Sequence, residues 1–273
     1  MKVLSKCYMA LVFLILYAPI LVVILFSFNR SGSLSQFTGF TLHWYKELFR
    51  DGFALDALKN SLILAVSSSL VATVLGTLAA FCIFRAKNKY YRNAVEAVSN
   101  IPMMNPDIVT GVSMMLLFVG VAGILKLTHV LGFWTMLLAH VTFNLPYVIL
   151  SVLPKFRQMD KSLSEAALDL GCTPTGTFFK VELPAVLPGI ISGLMMSFTL
   201  SLDDFVISHF VSSPDFKTLP LYIYNQTAHE VKFSMYALCT LMIVVILALL
   251  IAVNLFGASD DRRRKKAEKG VAK

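Results

Sequence analysis

The chain consists of long apolar stretches separated by short segments that hold most of its charged residues. Lys, Arg, Asp and Glu are nearly absent from six stretches, at about residues 7–28, 61–84, 98–125, 127–153, 185–211 and 233–259. A helix needs roughly 20 apolar residues to cross a bilayer core of about 30 Å, so each stretch is long enough to span a membrane. The pattern predicts a single all-α integral membrane domain with six transmembrane helices.

Composition supports this prediction and argues against a soluble protein. Only 15% of the 273 residues are charged and 57% are hydrophobic, whereas soluble chains carry about 25% charged residues. The net charge of +8 could indicate nucleic acid binding. However, 17 of the 24 lysines and arginines fall on one side of the six stretches, and the positive-inside rule then places both termini in the cytoplasm. The basic tail, residues 260–273, is therefore interpreted as a stop-transfer signal or an anchor to anionic membrane lipid, and no nucleic acid partner is expected.

One loop on the cytoplasmic side, residues 155–182, is too long for a simple turn. Within it, Ser162–Leu170 contains good helix formers with serines as possible caps, and Gly171 is a typical residue to end a helix. The apolar residues recur at helical spacing and form one face: Leu163, Ala166, Ala167 and Leu170. A second short helical stretch is expected after Thr173, ending at Leu183-Pro184. On pattern alone, a helix lying on the membrane surface explains this segment as well as a docking helix does.

The same loop resembles the EAA loop of the permease subunits of binding-protein-dependent ABC importers, written E-A-A-x3-G-x9-I-x-L-P. The chain matches this pattern with Glu165, Ala166, Ala167, Gly171, Leu183 and Pro184, and has Val181 in place of isoleucine. The resemblance implies the type I ABC importer permease fold, with a coupling helix that docks on a separate ATPase. It also implies a docking site formed by Glu165, Ala166, Ala167, Asp169, Gly171, Leu183 and Pro184.

The chain is expected to bind no cofactor itself. It contains no G-x-x-x-x-G-K-[ST] sequence, which ATP-binding P-loops require. The resemblance therefore implies that ATP and Mg²⁺ are bound by the partner ATPase. Cysteine spacing does not indicate a metal site or a disulfide, and we expect none.

Three acidic residues lie within the predicted spans, where a charge costs about 2.5 to 3.5 kcal/mol. Asp107 follows two prolines, Pro102 and Pro106, that are expected to break the helix. Asp203 and Asp204 are interpreted as part of one continuous fifth helix. No basic residue within a span is expected to pair with these acids, so they either face a cationic substrate or are hydrogen-bonded to Ser, Thr and backbone.

The surroundings of these acids resemble the spermidine/putrescine branch of the family, in its second permease type. The similar segments are Ser197–Val206, Pro106–Val109 and His140–Phe143. The resemblance implies a substrate path lined by Asp107, Asp203, Asp204 and Phe205. It implies polyamine uptake by alternating access across the bacterial inner membrane. The implied partners are an ABC ATPase homodimer, a second homologous permease, and a soluble or lipid-anchored polyamine-binding protein.

Other functions remain open at this point. Permeases for other amines, iron or phosphonate carry stretches related to Ser201–Asp204. An intramembrane aspartyl enzyme could pair Asp107 with Asp203 or Asp204, but no G-x-G-D sequence surrounds these acids. A stand-alone channel or carrier would leave the EAA loop without a role. The prediction is a transport subunit that is not an enzyme.

Overall fold

The computed structural model describes residues 2–31, 36–126, 130–227, 232–248 and 251. The helices of these residues are α1 (Lys2–Ser27), α2 (His43–Leu48), α3 (Gly52–Arg85), α4 (Lys89–Met104), α5 (Asp107–Leu125), α6 (Phe133–Gln158), α7 (Lys161–Asp169), α8 (Pro174–Thr177), α9 (Leu183–Asp203), α10 (Val206–Val211), α11 (Leu219–Thr227) and α12 (Phe233–Ala248). A π-helical turn, Phe178–Glu182, joins α8 to α9. The fold is helical, as predicted.

Five helical runs in the described part of the chain are long and apolar enough to cross a membrane. They are Ser5–Ser27, Gly52–Arg85, Asp107–Leu125, Phe133–Gln158 and Pro174–Asp203. The apolar helix α12 has the position of the predicted sixth span but is shorter in the described residues. Residues 249–259 of that predicted span lie outside the described residues, except Ile251. Six spans and cytoplasmic termini therefore stay predictions.

Two predicted spans are interrupted. The third is divided between α4 and α5 at Asn105-Pro106, because Pro106 has no N–H to continue the helix. The break expected from the prolines is therefore present, although Pro102 lies inside α4. The prediction of one continuous fifth helix is wrong: α9 ends at Asp203, and Asp204 has an extended backbone with φ −63° and ψ 121°.

The chain forms two compact units, and residues 57–221 make up the larger one. Its main core lies between α6 and α9, where Val148, Val152 and Phe156 are fully buried with Val186. The two helices approach closely at Gly189, where an added Cβ would lie 2.9 Å from the Ser151 carbonyl oxygen. Small residues at such contacts are the usual means by which membrane helices pack. This packing fixes α9, which carries the candidate sites at both of its ends.

The other unit contains residues 1–56 and 222–273, of which part is described. The Trp44 indole N–H of α2 donates to the Asn29 carbonyl oxygen at 2.7 Å, and the Tyr45 hydroxyl lies 2.9 Å from Ser27 Oγ. The Phe28 and Phe40 rings stack with centroids 4.8 Å apart. These contacts hold the short helix α2 against the segment that follows α1.

Candidate functional site

The helix that the EAA loop predicts is present as α7 and begins at a side-chain cap. The Asp160 carboxylate accepts a hydrogen bond from the Ser162 backbone N–H at 3.0 Å. The hydrogen bonds from Ser162 hold the pKa of the Asp160 carboxyl below its usual range. The sequence suggested serines as possible caps, but the residue that caps α7 is Asp160. A capped first turn lets a helix this short begin at a defined residue.

The end of α7 depends on Gly171, which has a φ of +85°. The Cys172 N–H donates to the Ala167 carbonyl oxygen at 3.0 Å, and the Gly171 N–H donates to that of Leu168 at 2.9 Å. These two bonds define a Schellman motif, which requires a left-handed residue at the position of the glycine. The prediction that Gly171 ends the helix is confirmed, and the motif turns the chain sharply toward α8.

The predicted apolar face of α7 is divided between two environments. Ala167 is buried, whereas Ala166 and the carboxylates Glu165 and Asp169 are exposed. The large apolar side chains also point outward: Leu163, Leu168 and Leu170 are 50%, 42% and 86% exposed. The helix thus points Ala167 and Ser164 inward and presents acidic and apolar side chains on its exposed side.

The segment after Gly171 continues into the membrane helix without stopping. Thr173 caps α8 by accepting from the Gly176 N–H at 3.1 Å, and the π-helical turn leads directly into α9. The expected helix end at Leu183-Pro184 is therefore wrong. Pro184 lies inside this continuous helical run, directly after the π-helical turn, and its missing N–H interrupts the hydrogen-bond ladder there without ending the helix. Leu183 and Pro184 accordingly connect the loop rigidly to α9.

An ion pair between a buried carboxylate and a half-exposed guanidinium, which the sequence did not indicate, joins this loop to α3. The Arg85 guanidinium, at the end of α3, donates to Glu182 Oε1 at 2.6 Å. Ser164 of α7 donates to the same oxygen at 2.9 Å. The Glu182 side chain is 1% exposed and that of Arg85 47%. The EAA pattern leaves the position of Glu182 variable, and no local pattern indicates that it pairs with Arg85.

An aromatic cluster lies beside this ion pair. Phe178, in the π-helical turn, has its ring centroid 4.5 Å from that of Phe81 on α3. Phe156 of α6 lies 5.8 Å from Phe81 and 5.5 Å from Phe84. The Arg85 guanidinium lies over the Phe81 ring at 5.4 Å. The EAA loop is therefore packed against the ends of α3 and α6, as well as being continuous with α9.

A cavity of about 520 Å³ separates α7 from the ends of the longer helices. Its walls combine apolar and charged residues: Phe84, Arg85, Arg92, Arg157, Met159, Ser164, Glu165, Leu168 and Glu182. Arg157 pairs with Glu96 of α4. The cavity means that α7 is attached through a few defined contacts and not through a continuous core.

At the other end of α9, Asp204 holds the joint to α10. Its carboxylate accepts from the backbone N–H groups of Ile207 at 3.3 Å and Ser208 at 2.7 Å. His140 Nε2 of α6 lies 3.5 Å from Asp204 Oδ2. The expectation that none of the three acids has a basic partner is therefore wrong for Asp204. This carboxylate caps α10 and faces an imidazole.

His140 extends the Asp204 contact into a buried polar network. Its Nδ1 atom lies 2.7 Å from Ser201 Oγ, and Nε2 lies 3.1 Å from Ser208 Oγ. Ser201 Oγ is in turn 2.8 Å from Ser68 Oγ of α3. The network joins α3, α6, α9 and α10 at the point where the membrane helix is broken. Its hydrogen bonds satisfy polar groups that would otherwise be costly to bury.

The other two acids have different surroundings. Asp107, at the start of α5, and Asp203, at the end of α9, are both exposed in the chain. A Cβ added at Gly111 of α5 would lie 3.4 Å from the Ile207 Cα of α10, and these two residues lie four positions after Asp107 and Asp203 in the sequence. Phe205 follows the break, with its ring centroid 5.4 Å from that of His209. The structure thus brings α5 and α10 together and leaves two carboxylates on accessible surface.

Comparison with known proteins identifies the family. Residues 72–265 match the binding-protein-dependent transport system inner membrane component. The putrescine transport system permease protein PotI of Escherichia coli (strain K12) is 39% identical over 231 residues, covering 85% of this chain and 82% of PotI. The spermidine/putrescine transport system permease protein PotC of Haemophilus influenzae is 38% identical over 258 residues, covering 94% of this chain and 98% of PotC.

Solved structures with the same fold are also membrane transporters. A bacterial ABC transporter that imports the acidic polysaccharide alginate has a TM-score of 0.75 at 16% identity, covering 94% of this chain and 95% of that one. The MetNI methionine ABC transporter has a TM-score of 0.62 at 18% identity, covering 80% of this chain and 98% of that one. At these identities the likeness concerns the fold alone. The chain belongs to the family of binding-protein-dependent transport system inner membrane components, as a membrane transport subunit and not an enzyme.

Proposed function

We propose that the chain is one of two permease subunits of an ATP-driven importer that carries putrescine or spermidine into the cytoplasm. The observation that carries this proposal is the similarity to permeases named for these solutes, at 35% to 39% identity over 82% to 98% of their own lengths. The partners would be an ATPase homodimer, a second homologous permease and a polyamine-binding protein that is soluble or lipid-anchored.

Energy would enter through the EAA loop, because ATP and Mg²⁺ would be bound by the partner ATPase. The exposed Glu165, Ala166 and Asp169 would contact that ATPase, and Gly171 would set the direction in which α7 projects. The helical run from Pro174 to Asp203 supports this mechanism, since a displacement of the loop must move α9 as well. Moving α9 relative to its neighbours would switch access to the substrate path between the two sides of the membrane.

The substrate would be recognised as a cation. Asp107 and Asp203 are exposed carboxylates close to the α5–α10 contact, and an acid at membrane depth usually faces a cavity or a partner. The nearby Phe205 ring would attract an ammonium group by a cation–π interaction. We assign Asp204 to holding the α9–α10 joint, since two backbone N–H groups and His140 already contact its carboxylate.

The test is reconstitution of the whole complex in liposomes. Its binding protein is titrated with putrescine, spermidine, an amino acid and a phosphonate by isothermal calorimetry, and uptake of each solute is then measured with ATP inside the vesicles. We expect binding and uptake of the polyamines alone. A binding protein that takes only the phosphonate would refute the polyamine proposal, and uptake without the ATPase would refute the importer mechanism.

A further inference from the structure

We infer that Glu182 is a positioning residue that transmits the movement of α7 to α3 and α9. This inference rests on the proposed function, in which α7 moves with an ATPase. The motif shared with other permeases leaves the position of Glu182 variable, so the assignment comes from the geometry. One carboxylate oxygen, Oε1, accepts hydrogen bonds from Ser164 of α7 and Arg85 of α3, while Glu182 itself directly precedes α9.

The burial of the Glu182 carboxylate makes its contact with Arg85 hard to break. Its side chain is 1% exposed, and among the described residues Oε2 has no hydrogen-bond partner. A buried carboxylate that loses its cation is left with an uncompensated charge, which is strongly unfavourable. The Arg85 contact should therefore persist when α7 moves. Any displacement of α7 must then either move Arg85 and Glu182 together or break the Ser164 bond.

The cavity beside Glu182 explains why the single hydrogen bond from Ser164 to Glu182 can affect how α7 moves α3. Around this space α7 lacks a continuous apolar core, and its inward packing uses the small side chain of Ala167. Few contacts are thus available to carry force from α7 to α3. The Ser164–Glu182–Arg85 chain spans this gap with two hydrogen bonds of 2.9 Å and 2.6 Å.

The decisive variant is Ser164→Ala, which removes only the α7 end of this chain. Its matched control is Ser162→Ala, which removes a hydroxyl from the exposed side of the same helix. This hydroxyl hydrogen-bonds Asp160 and is not part of the chain to Glu182, and the backbone N–H of residue 162 still donates to the Asp160 carboxylate. The reconstituted complex is assayed for solute transported per ATP hydrolysed. Loss of a hydrogen bond to a charged group should lower this ratio about tenfold in Ser164→Ala. The control should equal wild type.

A purely structural role would give a different result. The amount of assembled complex and its ATPase rate should stay near wild type in Ser164→Ala while transport falls. Equal transport per ATP in the two serine variants would overturn the inference. So would a parallel loss of assembly, ATPase and transport, since that would indicate a contact needed only for folding.

A double variant tests the role of Glu182 directly. Glu182→Gln combined with Arg85→Gln removes both charges, so no buried charge is left without a partner. We expect normal assembly with a lower transport-to-ATP ratio, and a ratio equal to wild type would contradict the inference. If the wild-type complex transports another solute and no polyamine, the proposed substrate fails. The ratio is then measured with that solute, and the role of Glu182 is judged separately.

Discussion

The EAA loop and the α9–α10 joint lie at opposite ends of α9. In each, an acidic side chain, Asp160 or Asp204, accepts hydrogen bonds from backbone N–H groups. In the loop, the bonds that define the two ends of α7 connect close neighbours in sequence, Asp160 with Ser162 and Ala167 with Cys172. At the joint, His140 contacts Ser201 across 61 residues, and Ser68 contacts Ser201 across 133. The comparison teaches that two acidic segments of similar appearance can be organised locally or by the tertiary fold.

This difference in organisation predicts different responses to substitution. A change in the local loop should disturb coupling to the ATPase while leaving the membrane helices folded. A change in the network at the joint should disturb the packing of several helices at once. The following substitutions test this contrast, beginning with the largest expected effect.

Gly171→Val should abolish uptake. A β-branched residue at a φ of +85° is strained by about 1 to 3 kcal/mol, and relief of the strain would disrupt the Schellman motif. Substrate-stimulated ATPase activity and uptake are measured in vesicles, with membrane insertion checked by immunoblot. The matched control is Gly171→Asn, since asparagine tolerates left-handed φ values and should retain most activity. Full uptake by Gly171→Val would show that α7 does not need this end geometry.

Asp203→Asn should impair transport and Asp204→Asn should impair stability, although the two residues are adjacent. Asp204→Asn weakens hydrogen bonds to a charged group and should lower stability by about 1.5 to 3 kcal/mol, seen as a lower melting temperature in detergent. Asp203→Asn should leave the melting temperature nearly unchanged but raise the KM for polyamine uptake. A destabilised Asp203→Asn with a normal Asp204→Asn would reverse our assignment of the two acids.

Asp160→Ala should have the smallest effect, confined to the first turn of α7. Loss of the cap should speed hydrogen exchange at the Ser162 and Leu163 amides, measured by mass spectrometry, with little change elsewhere. Because the folded-state pKa of Asp160 is lowered, the cap is fully present above the ordinary pKa and is lost only as pH falls through the lowered value. Uptake should therefore show no pH dependence from Asp160 near neutrality.

Much of the fold could be predicted because the membrane imposes simple rules. Apolar length predicted the helices α1, α3, α5, α6 and α9, and Pro106 predicted the break before α5. The loop motif predicted α7 and its end at Gly171. The same reasoning failed at Asp204, since apolar residues on both sides suggested a continuous helix. At the break the Asp204 carboxylate caps α10 and contacts His140 of α6, and apolar spacing does not record these contacts.

The sequence by itself determined that this chain is an α-helical membrane protein with a short helix in the EAA loop, because apolar length, Gly171 and the EAA residues act over a few positions. Only the tertiary structure decided which charges have partners. It joined Arg85 to Glu182 across 97 residues and His140 to Asp204, and it left Asp107 and Asp203 exposed. Such pairings depend on which helices pack together, and no local pattern along the chain records that choice.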